Sequence, residues 1–77
     1  MKVILYGTLS RHCARSLPGQ EMDVEIPGDG TVQDLLTLLN IPESLGPVVT
    51  MEGRILKASD RVRNDSSVVV FQALHGG

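Results

Sequence analysis

The sequence predicts an α+β roll, one main helix packed on a mixed sheet of four to five strands. Three observations carry the prediction. A continuous apolar run lies near each end of the chain, Val3-Ile4-Leu5-Tyr6 and Val68-Val69-Val70-Phe71. Between them a single stretch, Val32 to Leu39, has the apolar spacing of a helix. The 77 residues show no break in composition, and a chain of this length buries only about 60% of its unfolded surface. One domain with a small core is therefore expected. Its hydrophobic share of 42% and charged share of 21% are those of a folded globular chain rather than a disordered one.

The elements follow in order. Lys2 to Leu9 opens with an apolar run that is continuous rather than alternating, the pattern of a central strand buried on both faces. Ser10 to Gln20 is polar, carries Arg11, Arg15 and Pro18-Gly19, and predicts a connecting loop. Met22, Val24 and Ile26 alternate with Asp23 and Glu25, the period of a strand with one face in water, at or beside a sheet edge. Pro27-Gly28-Asp29-Gly30 ends it. Thr31 followed by Asp34 is a capping-box-like pair that satisfies exposed amides at a helix start. Val32, Leu35, Leu36 and Leu39 then form one apolar stripe, with Gln33, Asp34 and Thr37 outward, and Asn40 and Pro42 stop the helix. Pro47 to Met51, the turn Glu52-Gly53-Arg54 and Ile55-Leu56 predict a short hairpin. Ser67 to Ala73 is the second central strand. With both buried strands at the two chain ends, they should lie side by side in parallel, with the helix across one face. That is the β-grasp arrangement, and it leaves the outer sheet face available to partners.

Composition excludes several functions. Seven Lys and Arg against nine Asp and Glu give a net charge of -2, without the clustered basic face that a phosphate backbone requires. One Tyr, one Phe and no Trp leave almost nothing for bases to stack on, so nucleic acid is not an expected partner. No apolar run approaches the ~20 residues that span a bilayer, and the first residues lack a signal-peptide pattern. Neither a membrane nor a metal is expected, and the expected location is cytoplasmic. The single Cys13 has no internal disulfide partner, and no Cys/His spacing suits structural zinc.

The reactive inventory is equally thin. Catalysis needs a nucleophile, a base and an orienting group brought together. Cys13 neighbours His12, but adjacent loop side chains rarely make a thiolate-imidazole pair, so Cys13 is expected to be a small packing residue. Asp29, Asp34, Asp60 and Asp65 fall in predicted caps and turns, where carboxylates bond backbone amides. The chain is therefore expected to be a carrier rather than an enzyme, with no cofactor of its own.

Residues 1–73 account for the folded domain, which leaves Leu74-His75-Gly76-Gly77 as a flexible tail. Two terminal glycines arise by chance in roughly one chain in 200 if Gly is about 7% of residues, and a frayed end is the plain alternative. Glycines without Cβ atoms can thread a narrow channel and present a carboxylate to a nucleotide. Four extended residues reach about 13 Å at roughly 3.3 Å each, enough to clear the domain surface. A carboxylate becomes an acyl donor once its oxygen is made a better leaving group, so the expected chemistry is adenylation by ATP on a partner enzyme, then attack by sulfur.

These residues resemble the ubiquitin-like sulfur carriers, particularly the small subunit of molybdopterin synthase. The resemblance spans the chain: Lys2-Val3-Ile4-Leu5-Tyr6-Gly7-Thr8-Leu9, the helix Thr31-Val32-Gln33-Asp34-Leu35-Leu36, the Val48-to-Leu56 hairpin, and Val68 to Phe71 leading to Gly76-Gly77. It implies that Gly77 is adenylated and converted to a thiocarboxylate, with Gly76 as spacer, and that Phe71 and Leu74 contact the partner. His75 is a further candidate for partner binding. The implied partners are a ubiquitin-activating-type adenylating enzyme, which uses ATP, and a larger synthase subunit. Where molybdopterin-synthase subunits usually carry proline before Ala-Gly-Gly, this chain has Gln72-Ala73-Leu74-His75. Two sulfur acceptors therefore stay open, the pterin first and a thiazole second. A modifier joined to lysines through Gly77, and an interaction module with an inert tail, are the competing readings.

Overall fold

The computed structural model describes residues 1–12 and 19–73. Cys13, Arg15 and the tail from Leu74 to Gly77 thus lie outside the described residues. The elements in chain order are β1 (Lys2–Leu5), a 3₁₀ helix (Gly7–His12), β2 (Glu21–Asp23), α1 (Val32–Leu38), a second 3₁₀ turn (Glu43–Leu45), β3 (Pro47–Met51), β4 (Arg54–Leu56) and β5 (Ser67–Gln72). The strands form one five-stranded mixed sheet in the order β2-β1-β5-β3-β4. As the two apolar runs predict, β1 and β5 are central and parallel, from Lys2 opposite Ser67 to Leu5 opposite Val70. The other pairs are antiparallel. This is the predicted α+β β-grasp architecture.

The helix begins where local chemistry demands. Thr31 has extended backbone, its hydroxyl accepts from Asp34 N at 3.3 Å, and Asp34 Oδ2 accepts from Thr31 N at 2.9 Å, which completes a capping box. Two further amides of the first turn are met from afar: Val32 N donates to Asp60 O and Gln33 N to Ala58 O. The four amides that a helix start leaves open are thereby accounted for, since Leu35 N donates to Thr31 O. Asn40 ends the helix in left-handed conformation, φ 60, which its short polar side chain tolerates better than most. Thr31→Ala is expected to lose about 1 kcal/mol, or roughly 4–8 °C in Tm for a domain of this size, readable by thermal circular dichroism.

Val32, Leu35, Leu36, Leu39 and Ile41 join Val3, Leu5, Val49, Val68 and Val70 in one buried cluster, which Met1, Leu9, Val24, Ile26 and Val62 complete. Buried hydroxyls are satisfied locally, Ser10 on Gly7 O and Ser66 on Arg63 O. Asn64 does the work of a strand residue. Its carboxamide accepts from Ile26 N at 3.0 Å and donates to Ile26 O at 2.8 Å. It thereby extends the pairing of Val24, whose N–H and C=O are both bonded to Met1. The β3–β4 turn is as predicted: Glu52 (φ 52) and Gly53 (φ 83) both lie in the left-handed region, the geometry that matches the twist of a two-residue hairpin.

Three expectations need correction. The strand read through Met22, Val24 and Ile26 is only Glu21–Asp23, and Val24 and Ile26 are held instead by Met1 and Asn64. The first strand stops at Leu5, and the segment taken as its end and the start of a loop is a 3₁₀ helix over Gly7–His12. Gly7 at φ 64 turns the chain out of the sheet, and Leu9, fully buried, pulls the turn back onto the core. The continuous apolar runs are also not buried on both faces. Val3, Leu5, Val68 and Val70 are buried, but Ile4 and Val69 are half-buried and Phe71 is exposed. Among the described residues, only one sheet face has an α-helix to cover it.

Candidate functional site

Side chains alternate across a strand, so the residues of β1, β3, β4 and β5 that do not face α1 share the opposite surface. In register across that surface run Ile4, Val69, Thr50 and Ile55. One step further toward the end of β5, Phe71 stands opposite Val48. Tyr6, whose N–H donates to Val70 O, follows β1 beside Phe71. Ile55 is 74% exposed, Tyr6 46% and Phe71 36%. Among the described residues nothing covers this largely aliphatic face, which carries Tyr6 and Phe71, the Tyr and Phe of the chain. Contiguous apolar surface of this kind marks an interaction site more often than isolated exposed residues do.

Charges lie at the border of this face and pair among themselves. Lys2 Nζ is 2.7 Å from Asp23 Oδ1 and 4.0 Å from Glu21 Oε1, while Arg63 lies 3.6 Å from Glu52 and 3.7 Å from Asp65. The hydrogen bond and charge of Lys2 hold the Asp23 carboxyl below its usual range, and Asp23 raises the Lys2 ammonium. The depressed carboxyl stabilises the fold above its unfolded pKa, and that contribution is lost as pH falls through the folded value. The raised ammonium contributes below its unfolded pKa and ceases to as pH rises through the folded value. Both groups are exposed, so the effect is small and salt-screened. Lys2→Met should flatten the acid limb of the stability curve only slightly at low salt, and not measurably at about 1 M NaCl, by urea unfolding across pH.

The predicted site residues divide accordingly. Phe71 stands on the central strand β5 with its side chain exposed on the face opposite α1. Leu74, His75, Gly76 and Gly77 lie outside the described residues. Ala73, just before them, donates its N–H to Gly46 O at 3.1 Å. Asp34 and Asp60 take structural roles, the second accepting from Lys57 N at 2.7 Å. Among the described residues no group of three or more His, Cys, Asp or Glu side chains is placed to hold a metal. No helix there is long and apolar enough to cross a membrane. Sequence reasoning did not find Tyr6 or Ile55 as surface residues, because an apolar residue beside other apolar residues carries no local sign of which sheet face it occupies.

One main helix on a five-stranded mixed sheet of this strand order is the ubiquitin-like β-grasp fold. The crystal structure of SAMP1 from Haloferax volcanii shares this fold, with a TM-score of 0.69 and 19% sequence identity over 100% of this chain and 98% of that one. No protein-family model matches the chain, and no curated protein matches it in sequence.

Proposed function

We propose that this chain is a ubiquitin-like sulfur carrier. Its C-terminal Gly77 carboxylate is adenylated by a partner enzyme and converted to a thiocarboxylate, most fittingly for molybdopterin synthesis. The observation that carries the reading is the diglycine Gly76-Gly77, which follows the central strand β5 by four positions in the sequence, in a domain whose second sheet face exposes Tyr6, Ile55 and Phe71. A carboxylate oxygen attacks the α-phosphorus of ATP and pyrophosphate leaves. Hydrosulfide then attacks the acyl carbon of the adenylate, AMP leaves, and one oxygen has been replaced by sulfur. The domain brings a docking face, and residues 74–77 bring the reacting group with Gly76 as spacer. Phe71, with Leu74 and His75, contacts the partners, which are the adenylating enzyme and then a larger synthase subunit. The nucleotide chemistry belongs to the first of these.

The test is intact mass after incubation with the host's ubiquitin-activating-type adenylyltransferase, ATP and sulfide, beside a Gly77-deleted control. A gain equal to exchanging one oxygen for sulfur, absent in the control, supports the carrier. No gain with a demonstrably active enzyme overturns it. In that case, lysine conjugates that vanish on Gly77 deletion identify a modifier, in which the nucleophile is an amine instead of sulfur.

A further inference from the structure

We propose that the sheet edge from Glu21 to Ile26, together with the cleft between it and α1, takes up an extended segment of a partner protein in which cationic and apolar residues alternate. Binding there uses neither the tail nor Phe71, and it stands apart from the reading of Gly77.

β2 is an edge strand, with β1 on its inner side. Its regular pairing ends at Asp23, but the bonding pattern continues. Val24 exchanges both backbone bonds with Met1, and Ile26 exchanges both of its own with the Asn64 carboxamide, at 3.0 and 2.8 Å. Bonded positions alternate along an antiparallel pair, so Met22, Val24 and Ile26 bond inward. Glu21, Asp23 and Glu25, the positions between them, turn their backbone groups away from the sheet. Among the described residues, Glu21 and Glu25 have no backbone partner on that side. Unpaired N–H and C=O groups along an edge are a template for an added strand.

Side chains alternate with the same period, and this sets the chemistry of the occupant. On the helix side of the edge lies an open cleft of about 550 Å³, lined by Met1, Asp23, Val24, Glu25, Leu38 and Asn64. Leu38 is 54% exposed there, although the other outward residues of α1, Gln33, Asp34 and Thr37, are polar. Side chains of an added strand opposite Met22 and Val24 enter this cleft against Leu38, so they are apolar. Those opposite Glu21, Asp23 and Glu25 meet carboxylates. Lys2, at 2.7 Å from Asp23 and 4.0 Å from Glu21, is the one ammonium paired with them, and Glu25 has no ion pair among the described residues. The surplus of negative charge selects cations at these positions. A second copy of this chain offers no such strand among the described residues. Arg61-Val62-Arg63 alternates correctly, but Val62 is buried. Arg54 to Lys57 does not alternate, and the N–H and C=O of Lys57 are both closed onto Asp60.

The experiment titrates the full chain with the capped synthetic peptide Lys-Val-Lys-Leu-Lys at low salt and follows backbone amide shifts by NMR. The expected result is a saturating shift confined to Glu21–Ile26, Leu38 and Asn64. Methylating the peptide's lysine amides, which face the edge, should weaken binding at least about tenfold. Methylating the valine and leucine amides, which face away, should change it by less than about threefold. Leu38→Ser should weaken binding about tenfold, and Glu25→Lys about fivefold at low salt, with the difference gone at about 1 M NaCl. Both side chains are exposed, so thermal midpoints should stay near wild type, and the methylated peptides test the edge without altering the protein. No shift at millimolar peptide overturns the proposal, as do shifts centred on Ile4, Val69 and Phe71. Equal binding by the reordered peptide Lys-Lys-Lys-Val-Leu overturns it too, because charge alone would then suffice. Self-association in sedimentation that Glu25→Lys abolishes, without peptide shifts, assigns the edge to a second copy and likewise overturns it.

Discussion

Leu35→Ala is expected to lower Tm by roughly 12–24 °C, the effect of about 3 kcal/mol in a domain of this size. Leu35 is fully buried in α1, within the cluster formed with the inner faces of β1, β3 and β5. The one helix covers the sheet, so few neighbours are free to relax into the space that Leu35 leaves, and the cavity persists. At about 0.05–0.15 kcal/mol per residue, the whole domain is worth roughly 4–12 kcal/mol, so this one substitution removes a large part of it. Leu35→Met, which keeps the volume, should cost less than about 1.5 kcal/mol. Differential scanning calorimetry of the two variants decides the matter. A loss below about 4 °C for Leu35→Ala would mean that the helix does not close the core as described.

Phe71→Asp is expected to weaken association with the adenylating enzyme by roughly 30- to 100-fold, while stability changes by no more than about 1 kcal/mol. Phe71 already stands 36% exposed, so the fold gives up little when the ring is removed. At the proposed interface, a carboxylate opposite Val48 and beside Val69 and Tyr6 has to be desolvated without a partner. Ile55→Asp, at the exposed edge strand β4, should cost several-fold less, because border positions remain wet in a complex. Kd by isothermal titration, with kcat at saturating carrier, separates the two arms. The expected result is a raised Kd for Phe71→Asp with kcat nearly unchanged. Equal affinity for wild type and Phe71→Asp would show that partners engage another surface.

These two positions illustrate what was and was not legible. Leu35 was placed in the core from its spacing with Val32, Leu36 and Leu39, since helical periodicity is a property of a few consecutive residues. Thr31 and Asp34 were equally readable, because a capping box is closed within three residues. The hairpin at Glu52-Gly53 and the parallel pairing of the two apolar runs followed from turn chemistry and from run length. Phe71 was picked out beside the tail, yet Tyr6 and Ile55 were not. The same aliphatic run, Val68 to Phe71, contains residues buried to nearly the last ångström and residues open to solvent, and only the position of α1 distinguishes them. Val62 and Asn64 escaped notice for a related reason. Their partners, Gly30 O and the backbone of Ile26, lie more than thirty positions away in the sequence, and no local pattern announces such a bond.

By itself, then, the sequence determined a mixed sheet with one main helix, the stripe that α1 buries, the central parallel pair and the diglycine on which the proposed chemistry rests. Each of these depends on residue types at fixed short spacings, which local sterics and hydrophobic periodicity translate directly into structure. The tertiary structure alone decided which residues of the two apolar runs face outward, that β1 yields to a 3₁₀ turn after Leu5, and that the Gly46 carbonyl accepts from Ala73 N. Those outcomes depend on which distant segments meet. A single helix can cover only one side of a sheet, and a backbone carbonyl finds its donor only once both strands are in register.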